Sequence, residues 1–107
     1  MAVGPPSKSA RPAFPLAGAA QNPAGQTFQP RAELQRPGLL LMNGVVYAAF
    51  GGHCDASPWQ GWVFGVSSTG QTKARWVAVA SGDGAGIWQS GAGITSDGSG
   101  TLLVSTG

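Results

Sequence analysis

The chain has 107 residues, of which 9% are Asp, Glu, Lys or Arg and 42% are apolar, with 18 glycines. So little charge beside an ordinary apolar content excludes a charge-driven disordered tail, a coiled coil and a basic nucleic-acid arm. The net charge of +2 rests on six scattered bases, Lys8, Arg11, Arg31, Arg36, Lys73 and Arg75, which form no stripe, so no nucleic-acid partner is expected.

One His, one Cys and four carboxylates leave little material for acid–base chemistry, and a lone Cys excludes an internal disulfide. The longest uninterrupted apolar run, Val45 to Phe50, is far short of the ~18–20 residues of a membrane span. Pro5, Pro6, Pro12 and Pro15 break up any apolar stretch after Met1, so no signal peptide is read in this chain.

Composition shifts at Gly38: seven of the eight prolines precede it and 14 of the 18 glycines follow it. Residues 1–26 read as an extended Pro/Ala/Gly segment with polyproline-like stretches and no periodic apolar face. Pro30 to Gln35 predicts one helical turn, because Pro suits the first helical position; Pro37 then keeps Arg36 out of the helical region and ends the turn.

From Gly38 onward the pattern is β. Leu39 to Met42, Asn43-Gly44 and Val45 to Phe50 predict a hairpin, since Asn-Gly accepts the positive φ angles of a type I′ turn. Trp62 to Val66 and Lys73 to Val79 predict a second pair around Ser67-Ser68-Thr69-Gly70. In its last strand Lys73, Arg75, Val77 and Val79 share one face, and Ala74, Trp76 and Ala78 share the other. Basic residues there suit a sheet edge that must resist foreign pairing. Ile94 to Ser96 and Thr101 to Ser105 predict a third pair around Asp97-Gly98-Ser99-Gly100.

The first two strands are apolar on both faces, whereas a sheet with one wet face would alternate. The sheet is therefore expected to lie between other sheets. A repeat agrees: Gly44 leads Val45 to Gly51 and Gly100 leads Thr101 to Gly107, with the two copies 56 residues apart. The expected architecture is all-β. It is a partial β-propeller of about one four-stranded antiparallel blade (38–79), a connection (80–92) and the first hairpin of the next blade (93–107). Such a piece leaves outer faces for the remaining blades of the same propeller to cover.

Three places invite chemistry. His53-Cys54-Asp55, between the first two hairpins, offers three metal-ligating and nucleophilic side chains. Adjacent residues on an extended segment point to opposite sides, however, and no second His or Cys completes a ligand set, so no metal is assigned. The plainer reading packs Cys54 as a small buried apolar group and uses His53 or Asp55 to cap backbone amides. Gly82-Asp83-Gly84-Ala85-Gly86 superficially resembles a phosphate loop. Ile87 stands where the dinucleotide fingerprint needs its last Gly, and no helix follows, so it reads as a connection.

Trp59, Trp62, Trp76 and Trp88 each carry a large apolar body with one N–H, and their plain reading is as wedges between blades. Trp88, beside Gln89 and Ser90 in a Gly-rich connection, is the exception that can face a channel or rim. The candidate ligand-binding residues are thus His53, Cys54, Asp55, Trp88, Gln89 and Ser90; none is assigned as catalytic.

Gln35-Arg36-Pro37-Gly38-Leu39-Leu40-Leu41, Asn43-Gly44-Val45-Val46-Tyr47, Ala49-Phe50-Gly51, His53-Cys54-Asp55, Gly61-Trp62-Val63 and Gly86-Ile87-Trp88-Gln89-Ser90-Gly91 resemble bacterial pyrroloquinoline-quinone-like β-propeller repeat proteins. The resemblance spans about residues 27–107 and includes the closing Leu103 to Gly107. It implies a multi-blade propeller, generally exported or at the cell surface and mostly without an assigned activity; the expected role is a non-catalytic binding or structural scaffold at the bacterial cell envelope. Thr69-Gly70 of the quinoprotein blade motif is retained, but Trp76 stands two residues late, and no cofactor is expected. Pyrroloquinoline quinone enters only under an alternative reading, part of a quinone-dependent dehydrogenase. A further alternative is a carbohydrate-binding propeller whose partner is a small molecule or glycan.

Overall fold

Asn43 and Gly44 adopt φ angles of 52° and 76°, the two consecutive positive values of a type I′ turn. Around this turn Leu40–Met42 (β2) pairs antiparallel with Val45–Gly52 (β3), in a register that sets Met42 opposite Val45. The computed structural model describes residues 16–22, 25–54 and 57–107. β3 continues antiparallel to Trp62–Ser67 (β4), which pairs with Thr72–Val77 (β5) through a register shift at Gly65/Val66. A short strand, Glu33–Leu34 (β1), pairs with Gly51 and Gly52 at the far end of β3. Thr95–Ser96 (β6) and Leu102–Leu103 (β7) form a separate two-stranded sheet.

The chain is therefore all-β and antiparallel. Among the described residues no helix reaches seven residues, and the two sheets close no barrel or ring. No described helix is long and apolar enough to cross a membrane.

The helical turn expected over Pro30 to Gln35 is shorter: a 3-10 turn covers Pro30–Ala32. Glu33 and Leu34 leave it because backbone pairing with Gly52 and Gly51 outcompetes a second turn, so the turn ends before Pro37 can act. β3 extends two residues beyond Phe50 for the same reason. β5 ends at Val77, two residues before the expected Val79, after one last ladder bond from Ala78 N–H to the carbonyl of the facing Gly61 at 2.8 Å.

Period-two alternation sends β3 and β4 side chains to two separate cores. Phe50, Trp62, Phe64 and Val77 pack on one face with Ala20 and Phe28, which come from the N-terminal segment. Phe28 is the hub of this cluster, edge-on to Phe50, Trp62 and Phe64 at centroid distances of 5.0, 5.5 and 4.8 Å. Each such side chain contributes on the order of 1.5–3 kcal/mol by leaving water. On the opposite face Ala49 and Val63 pack with Ile87 and Ile94, supported by Leu40, Tyr47, Leu102 and Val104.

Around Ala49 to Gly52 and Trp62 to Gly65 both faces are buried, while Leu41 and Val46 nearer the first turn stay 70% and 39% exposed, and the covering layers are not a pair of full flanking sheets. The extended N-terminal segment covers one face, and the C-terminal segment with its small hairpin covers the other. The same N-terminal segment closes the β5 edge. The Gln21 and Asn22 side chains accept from Arg75 N–H at 3.0 Å and Val77 N–H at 3.2 Å, standing in for a neighbouring strand.

Candidate functional site

Gly51, Gly52 and Gly86 form a floor on which two indoles rest. A Cβ on Gly51 would stand 2.5 Å from Trp88 Cε2, and one on Gly52 would stand 2.7 Å from Trp59 Cδ2. Gly86 lies between them: its Cβ would meet Trp88 Nε1 at 2.9 Å and Trp59 Cζ3 at 3.3 Å. Ile87 N–H bonds to the Phe50 carbonyl at 3.1 Å, which anchors this segment against β3. The Arg36 guanidinium carbon lies over the Trp88 ring, 5.6 Å from its centroid, in cation–π contact.

Beyond Trp88 the chain makes a left-handed turn, with φ of 53° at Gln89, 47° at Ser90 and 87° at Gly91. Two of these residues bear a Cβ, and each costs on the order of 1 kcal/mol in that region. The Gln89 side chain offsets the strain: its Oε1 accepts from Ser105 N–H at 2.7 Å and Ser105 Oγ at 3.1 Å. This clip joins the turn to the C-terminal segment, where Gly107 N–H bonds to Gly86 O at 2.9 Å. Between the two segments opens a pocket of about 180 Å³ lined by Gly86, Trp88, Gln89, Ser90, Ser105, Thr106 and Gly107. Two larger concavities, of about 300 and 320 Å³, are apolar grooves on the two sheet faces.

Trp88, Gln89 and Ser90 thus share one pocket, joined there by Ser105 and Thr106, which the sequence did not single out. His53 and Cys54 lie outside it, both exposed, and Asp55 lies outside the described residues. Cys54 is not the buried apolar group expected, because its φ of 55° turns the chain outward after β3. The backbone of His53 is held by Ala32 O at 2.8 Å. Among the described residues no three His, Cys, Asp or Glu side chains gather to hold a metal ion. Among the described residues Asp83 caps this loop, its Oδ1 accepting from Ser57 Oγ and Trp59 N–H, each at 3.1 Å.

In the Gly82 to Gly86 stretch the backbone of Gly84 takes part in the fold. Gly84 N–H bonds to Trp59 O and Gly84 O accepts from Gly61 N–H, both at 3.1 Å. The tryptophans divide by location. Trp62 is fully buried, Trp59 and Trp88 are half-buried on glycine, and Trp76 is 37% exposed beside the groove of Val63, Ala74, Leu102 and Val104.

One chemically distinctive group went unread. Glu33 is only 7% exposed; its Oε1 accepts from Gln60 N–H at 2.7 Å, and its Oε2 is buried without a partner among the described residues. Burial pushes its carboxyl from 4.5 to about 7, the Gln60 hydrogen bond opposes the rise, and the Asp83 charge adds to it. No spacing in the sequence marks Glu33, since the groups that bury it come from distant segments. No protein-family model, curated protein or solved structure matches the chain.

Proposed function

We propose that the chain is a non-catalytic β-propeller repeat segment of a larger envelope or secreted bacterial protein, serving as a binding scaffold. The observation that carries this reading is the Trp88 pocket, walled by amide, hydroxyl, indole and backbone groups. These hydrogen-bond and pack but do not exchange protons near neutrality. The order of elements agrees: a four-stranded antiparallel meander, β2 to β5, precedes a second hairpin, as a blade precedes the start of the next. Leu39, Leu41 and Leu103 are 62%, 70% and 52% exposed, apolar surface of the kind that neighbouring blades would cover.

Titration of the full chain with pyrroloquinoline quinone and calcium, followed by absorbance and by dye reduction with alcohols and sugars, tests the scaffold reading. No saturable shift and no dye reduction are expected; a saturable shift with activity overturns it. The pairing of an indole wall with the Gln89 and Ser90 polar groups favours a glycan as the second reading of what the pocket holds. Glycan-array binding that disappears in Gln89→Ala supports that ligand, and binding that survives the substitution removes it.

A further inference from the structure

Three segments distant in sequence meet around Glu33, joined by polar contacts in place of an apolar core. Glu33 Oε1 takes the N–H of Gln60 at 2.7 Å. The Gln60 side chain, itself 7% exposed, donates to Gln26 Oε1 and to Gly82 O, both at 2.8 Å. Gln26 Nε2 in turn reaches Ala80 O at 2.7 Å. Asp83 holds Trp59 N–H, and the Trp59 ring covers Gly52. The carboxyl at the centre has one satisfied oxygen and one buried oxygen, Oε2, without a partner among the described residues.

We propose that Glu33 is a proton-operated latch: neutral, it holds the 57–60 and 80–84 segments against β1, and ionised, it releases them and lifts Trp59 from Gly52. The physical reason is the cost of the anion in this setting. A buried carboxylate with an orphaned oxygen loses its hydration, and a neutral acid does not bear that full penalty. The charged form also faces Asp83, whose charge acts on Glu33 from the 80–84 segment. Opening those two segments lets water reach Oε2 and separates the like charges. Among the described residues the other ionisable groups on the adjoining elements are Arg31 in the Pro30–Ala32 turn and His53 and Cys54 after β3, all exposed. The raised Glu33 value, about 7, places the release near neutrality.

The latch is independent of the scaffold reading, since it concerns the fold around Glu33 whatever the pocket binds. It does reach that pocket, because Gly86 lines it and touches both indoles.

Hydrogen exchange of the full chain, corrected for intrinsic rates, tests this between about pH 5.5 and about pH 8.5. Peptides covering 57–61 and 80–84 are expected to lose about tenfold in protection at the higher pH, while those covering Trp62 to Val66 hold. Glu33→Gln keeps the Gln60 contact without the charge and should keep protection at both pH values. Asp83→Asn retains an acceptor for Trp59 N–H but removes the like charge, so the midpoint should move to lower pH. Equal protection at both pH values in the unsubstituted chain overturns the latch. So does an unchanged pH response in Glu33→Gln, which would assign the response to His53 or another group. Loss of protection across the whole chain also overturns it, because the release is local.

Discussion

Gly51 and Trp88 are in contact so close that no other residue fits at Gly51: a Cβ there would stand 2.5, 2.8 and 2.9 Å from three indole carbons. The contact joins the end of β3 to the segment that carries the pocket, so packing at one glycine positions the Trp88 wall of that pocket. Gly51→Ala is expected to destabilise the fold by about 1–3 kcal/mol, the usual cost of overpacking. Chemical denaturation measures this. The cost should shrink in a Trp88→Ala background, and an equal cost in both backgrounds removes the proposed cause.

The Asn43-Gly44 turn supplies a second prediction. Asn43 tolerates its φ of 52° because its short polar side chain accommodates left-handed backbone, which a β-branched residue does not. Asn43→Val should cost about 1–2 kcal/mol, whereas Asn43→Gly should be near neutral. Thermal or denaturant melts of the two variants decide it.

Edge protection supplies a third. Asn22 binds both polar groups of Val77, accepting from its N–H at 3.2 Å and donating to its carbonyl at 3.4 Å. Asn22→Ala leaves that part of β5 unpaired. The expected results are a loss of about 1–2 kcal/mol and a concentration-dependent rise in light scattering on warming. Unchanged scattering would show that β5 is guarded by other means.

Stability should depend on pH through Glu33. Its carboxyl titrates near 7 in the folded chain against 4.5 as its ordinary value, so the folded state binds the proton more tightly than the unfolded state. Stability from this source is therefore full below about pH 4.5, falls as pH rises, and levels off above about pH 7. The loss is on the order of 3 kcal/mol at most, at about 1.4 kcal/mol per pH unit. Denaturation midpoints across this range should flatten in Glu33→Gln. A slope that persists in that variant excludes Glu33 as its source.

The legibility of the fold differs from element to element. The turn of the first hairpin could be read to the residue because Asn43-Gly44 is local chemistry: two positive φ angles and a two-residue loop set its register. The separation of Val77 from Ala74 and Trp76 on β5 was equally local, following from period two alone. Cys54 was misread because its identity suggested burial, while its exposure follows from where β3 ends. Glu33 left no trace, since the Gln60 amide and the Asp83 charge lie 27 and 50 residues away.

What the sequence by itself determined is the β character, the apolar make-up of both faces of β2 and β3, and the turn that joins them. These depend on side-chain period and on backbone angles within a few residues. Only the tertiary structure decided what covers the two dry faces, which tryptophans sit on glycine, and that Gln89 reaches Ser105 to form a pocket. It alone decided that one carboxyl is buried with an oxygen unpartnered among the described residues. Each of these depends on long-range burial, which moves groups out of water in a way that no short stretch of sequence encodes.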